Sequence, residues 1–104
     1  MNNRSEIEYI QREFANKCKQ YEQLRHVSVQ GNLSTKMTFD QCAPTLDSKK
    51  QNTERFLTKL TAKDPELDEY NLQSARKALQ EFIVALRDSE IKIRNARTMP
   101  PFLY

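Results

Sequence analysis

Chemistry needs reactive side chains brought together, and this chain supplies few of them. His26 is the only histidine, so any Ser–His–acid arrangement would have to pass through it. It falls near the end of the first predicted helix, where a surface position at the negative pole of the helix dipole is the simpler role. Cys18 and Cys42 are the only cysteines. They are too far apart for CxxC chemistry and too few for a disulfide scaffold, which favours two reduced thiols with at least one in the core. Together with His26 they make at best a scattered set of metal ligands, so no metal and no cofactor are expected.

Neighbouring carboxylates occur at Asp68–Glu69 and at Asp88 and Glu90. They lie in charged, solvated stretches that would not move their pKa values far enough for acid–base work. Gly31 is the only glycine, so a phosphate cradle of the P-loop type is excluded, and no dinucleotide, zinc-protease or calcium-loop motif is present. These absences lead to the expectation that the protein is not an enzyme.

Binding surfaces are the alternative. The formal charge is +3, from 17 Lys plus Arg and 14 Asp plus Glu. The excess of cations lies in the middle third, where Lys49, Lys50, Arg55 and Lys59 are candidate contacts for a polyanion. Acidic residues such as Asp47 and Glu54 interrupt them, and no aromatic platform for single strands accompanies them. Nucleic acid is therefore the second choice, behind another protein chain.

The elements that position these residues are helical. One glycine and four prolines in 104 residues argue against a turn-rich β architecture. No run approaches the roughly 20 apolar residues of a membrane span, and "MNNRSEIEYI" lacks the apolar stretch of a signal peptide, which suggests a cytoplasmic protein. Ile7, Ile10, Phe14, Tyr21 and Leu24 follow a three–four spacing over about residues 5–28, with Ser5 as a candidate cap and Glu8 reaching back to it. Val27, Ser28, Val29 and the Gly31–Asn32 pair then predict a stop, with positive φ available at Gly31.

Residues 33–44 are harder to assign. Thr38 and Gln41 resemble a capping box, but Pro44 would fall in the second turn of such a helix, so the pattern predicts a kink or a break there. A shorter middle helix over about 46–61 is the safer reading, with Leu46, Phe56, Leu57 and Leu60 buried and "DSKKQNTE" wet. "AKDPELDEY" is a strong start signal: Asp64 caps, Pro65 takes the first position, and acidic residues crowd the positive end. A long third helix over about 65–97 follows.

Two stripes run along that third helix. Leu72, Ala75, Leu79, Phe82, Leu86, Ser89, Ile93 and Ala96 form a heptad seam. It predicts a coiled-coil-like antiparallel pairing with the first helix. Tyr70, Lys77, Val84 and Ile91 repeat every seven residues on the opposite side. Tyr70, Val84 and Ile91 are thus either covered by the rest of the chain or part of an interface.

The closing "TMPPFLY" cannot continue a helix, because Pro100 and Pro101 hold the backbone extended. Phe102, Leu103 and Tyr104 either cap the bundle near Ile7, if the outer helices are antiparallel, or anchor another chain. The whole is thus read as a single all-α domain of residues 1–104. It is an antiparallel first and third helix, a shorter middle helix and an extended tail over 98–104. The expected role is that of an adaptor, assembly factor or complex subunit.

Overall fold

A computed structural model describes residues 3–62 and 69–97 of the chain. Three helices account for all of them except 30–32: α1 (Asn3–Val29), α2 (Leu33–Ala62) and α3 (Glu69–Arg97), of 27, 30 and 29 residues. They form an all-α bundle of about 57 × 18 × 17 Å. The shorter middle helix is not found.

α2 is long because it starts thirteen positions earlier than expected, at Leu33 rather than 46. Asn32 caps it. Its Oδ1 accepts the backbone N–H and the hydroxyl of Thr35, both at 2.8 Å, which satisfies a donor of the first turn. Gly31 does not use positive φ. It is required for space instead, since a Cβ there would lie 2.9 Å from Thr35 Cγ2. Thr35 is fully buried and held by its bond to Asn32, so it cannot easily give way.

The helix then passes through Pro44, where neither a break nor a separate turn occurs. Proline removes the donor to the carbonyl of Asp40. Both residues are exposed, so water is available to that carbonyl, while Phe39, Cys42 and Leu46 anchor the opposite face. Tertiary packing outweighs the local penalty. The stretch expected to be wet also contributes to the core: Thr53 is fully buried, its hydroxyl bonded to the carbonyl of Lys49 at 2.9 Å.

At the start of α1, Ser5 lies inside the helix and is exposed, so it is not the cap. Asp64 and Pro65 fall outside the described residues, as do Phe102, Leu103 and Tyr104.

Two layers make up the core. At one end Ile7 and Ile10 of α1 meet Leu57 and Leu60 of α2 and Leu72, Ala75 and Leu79 of α3. At the other, Tyr21 meets Phe39, Cys42 and Leu46, together with Phe82, Leu86 and Ile93. Phe14 packs against both layers. The N-terminal part of α1 therefore shares a layer with the N-terminal part of α3, and an ion pair between Glu6 and Arg76 joins the same two ends.

α1 and α3 are thus parallel to each other, and both are antiparallel to α2. This corrects the expected antiparallel pairing of the first and third helices. Short connections reverse the chain at each step, so the first and third helices of such a bundle point the same way. The dominant interface is likewise α2 with α3, while α1 packs less extensively and about equally on both.

The condition attached to a cap near Ile7, antiparallel outer helices, is not met, and the tail itself lies outside the described residues. Arg97 ends α3 beside Leu24 and Val27, at the α1–α2 turn, and Ile7 is at the far end of the bundle.

Candidate protein interface

The inner stripe of α3 is wholly committed to the fold. Leu72, Ala75, Leu79, Phe82, Leu86, Ser89, Ile93 and Ala96 are all buried. Phe82 is the centre of an aromatic cluster, 5.9 Å from the ring of Phe14 and 6.3 Å from that of Tyr21. Ser89 satisfies its hydroxyl within the helix, on the carbonyl of Ala85 at 2.8 Å.

A helix with one face buried so completely must turn the other outward. Tyr70 is 77% exposed, Val84 41% and Ile91 46%. They stay exposed although α2 takes part in both core layers. Tyr70 and Val84 line an open groove of about 980 Å³ along α3, with Lys49 of α2 on its wall and Lys77, Glu81 and Asp88 among its polar lining.

The groove wall is fixed by an ion pair. Lys49 Nζ donates to Glu81 Oε1 at 3.0 Å, tying α2 to α3. That bond, and the positive charge behind it, hold the Glu81 carboxyl below the usual carboxylate range, with Lys77 adding in the same direction.

The four candidate cations of α2 do not form one patch. Lys49 is engaged by Glu81 on the α3 side. Lys50 turns toward α1, where its charge acts on the Cys18 thiol. Arg55 and Lys59 flank Phe56, their charged groups 5.2 and 5.4 Å from its ring centre.

A half-exposed polar knot at the α1–α2 contact was not legible in the sequence. The Tyr21 hydroxyl donates to Asp47 Oδ1 at 2.6 Å, and Arg25 approaches the same carboxylate at 3.9 Å. The Arg25 guanidinium also lies over the rings of Tyr21 and Phe39, at 5.2 and 5.6 Å. Burial, then the bond to Asp47, push the Tyr21 phenol well above its ordinary value. The signal available was the meeting of the heptad tyrosine with an acid on the next helix, and it needed the register of α2.

The cysteines are both free; Cys42 is buried in the Tyr21 layer, and Cys18 is half-buried against the same layer. Burial raises the Cys18 pKa, which lowers its thiolate fraction. His26 is exposed in the last turn of α1. Among the described residues no three His, Cys, Asp or Glu side chains gather as a metal site, and no helix is long and apolar enough to cross a membrane.

Compared with known proteins, the chain matches no family model, no curated protein and no solved structure.

Proposed function

We propose that this chain is a non-enzymatic helical scaffold that works by contact with another protein, in the manner of an adaptor, assembly factor or complex subunit. The supporting observation is the outer stripe of α3. Tyr70, Val84 and Ile91 stay exposed on a seven-residue register that Lys77 completes, on a helix whose inner stripe is buried. Scattered apolar residues are ordinary on a protein surface, but a periodic row beside an open groove is the shape of a helix-binding seam.

The test is Val84→Glu combined with Ile91→Glu. The expected result is loss of association, with the far-UV circular dichroism of the parent retained. Association that survives both changes removes the reading. A phosphate-binding role has less support, because the α2 cations serve an ion pair, a thiol environment and an aromatic ring instead of one surface.

A further inference from the structure

The outer stripe of α3 has an internal symmetry that bears on what covers it. Tyr70, Lys77, Val84 and Ile91 are evenly spaced, so the midpoint of Tyr70 and Ile91 is also the midpoint of Lys77 and Val84. It falls between Gln80 and Glu81. A two-fold axis crossing α3 at that point exchanges the two halves of the stripe. Each half supplies one large apolar side chain at its outer end.

Charge distinguishes the possible pairings. Lys77 lies on the N-terminal half of the stripe and Asp88 on the C-terminal half, and both line the groove with Tyr70 and Val84. Two α3 helices laid parallel in register set Lys77 against Lys77, a like-charge arrangement. Laid antiparallel about the axis, Tyr70 comes level with Ile91 of the second copy and Lys77 with Val84. The Lys77 stem can then lie on that valine while its ammonium reaches Asp88 of the second copy, about one helical turn away. Symmetry forms the pair twice. The same axis brings the Glu81 carboxylates of the two copies near each other; each is tied to Lys49 of its own chain, which offsets that like-charge approach and leaves Asp88 as the acceptor for Lys77.

We infer that the outer face of α3 is self-complementary, and that its partner is a second copy of this chain docked antiparallel through Tyr70, Val84 and Ile91 with reciprocal Lys77–Asp88 pairs. This rests on the reading of that face as a contact surface and names its occupant.

Sedimentation of the full chain over a concentration series tests it. The parent is expected to dimerise. Val84→Glu with Ile91→Glu is expected to be a monomer of unchanged helicity. Lys77→Asp is expected to weaken the dimer about tenfold, since an exposed ion pair contributes up to roughly fivefold and is counted twice here. Combining Lys77→Asp with Asp88→Lys is expected to restore the dimer to within about threefold of the parent, because the swapped charges meet again.

A parent chain that stays monomeric overturns the inference, as does a dimer indifferent to Lys77→Asp or one that survives the double glutamate variant. If the parent is a monomer but captures a different protein through Val84 and Ile91, the second-copy assignment fails and the contact reading stands. If the glutamates change neither kind of association, both fail.

Discussion

The two faces of α3 carry the same seven-residue repeat and have opposite fates. On the inner face Leu72, Leu79, Phe82, Leu86 and Ile93 are within a few per cent of complete burial. On the outer face Tyr70, Val84 and Ile91 remain exposed. The difference lies in what flanks each repeat. Ala75, Ala78 and Ala96 let neighbouring backbones approach the inner face, and Phe82 fills the space between Phe14 and Tyr21. Around the outer stripe stand Gln73, Lys77, Gln80 and Asp88, which suit water or a partner with matching charge. A heptad repeat alone thus establishes an amphipathic stripe; its flanking residues indicate whether the stripe closes a core or remains open.

Replacing one residue on each face is the strongest test of that contrast. Phe82→Ala removes the largest side chain of the inner stripe and should cost about 3–5 kcal/mol, visible in urea unfolding. That is a large part of the stability of most small domains. Val84→Ser, two residues away, should change folding by no more than about 0.5 kcal/mol while weakening association. Comparable losses in folding would mean that the outer face is also part of the core. The opposite insult, Ala75→Leu, adds volume where Ile10, Leu57 and Leu72 already meet, and overpacking should cost about 1–3 kcal/mol in the same assay.

These contrasts were legible to different degrees in the sequence. The inner stripe of α3 could be read in full, because its apolar period is nearly unbroken. The stripe of α1 was read except for Ser28, a buried serine that completes the same period, while its expected cap at Ser5 was not borne out. α2 was misread over its first half. Its buried positions Thr35, Phe39, Cys42, Leu46, Thr53, Leu57 and Leu60 also follow three–four steps with one gap, but two are threonines and the gap holds Lys49. Hydrophobicity understates threonines whose hydroxyls bond within the turn, as those of Thr35 and Thr53 do. Pro44 then supplied a false stop. Helix direction was mistaken for a simpler reason: pairing α1 with α3 by pattern ignored the reversal that each short connection imposes. The outer stripe itself was identified in sequence, but the groove beside it depends on where Lys49 of α2 lies.

A smaller effect probes the edge of the inner layer, where Tyr21 joins Phe82 to the polar knot. Tyr21→Phe keeps the ring and removes the bond to Asp47, and should cost about 1 kcal/mol at neutral pH. The phenol is raised by burial and by Asp47 from its ordinary value of 10.0. A raised folded-state value means the contribution is complete below the unfolded value and declines as pH rises through it. The advantage of the parent over Tyr21→Phe should therefore narrow above about pH 10 in chemical unfolding followed from neutral to alkaline pH. An advantage that stays constant would show that the phenol is not desolvated in the folded state.

The smallest effect belongs to the boundary between the faces. Glu81 lies on the groove wall, bonded to Lys49, and its pKa is lowered from the ordinary 4.5 chiefly by that bond. A lowered folded-state value gives stability that is present above the unfolded value and lost as pH falls through the folded one. Glu81→Gln should thus destabilise slightly at neutral pH, and the difference should shrink as the pH falls below the ordinary value of 4.5. It should shrink further in salt, because the side chains of both partners are about a third or more exposed, at 34% and 41%. The informative quantity is association. If Asp88 of a second copy receives Lys77, as the spacing of the stripe implies, Glu81→Gln should leave the dimer constant within about threefold, measured by sedimentation. A drop comparable with that of Lys77→Asp would shift the acceptor role from Asp88 to Glu81 and make the groove wall part of the interface.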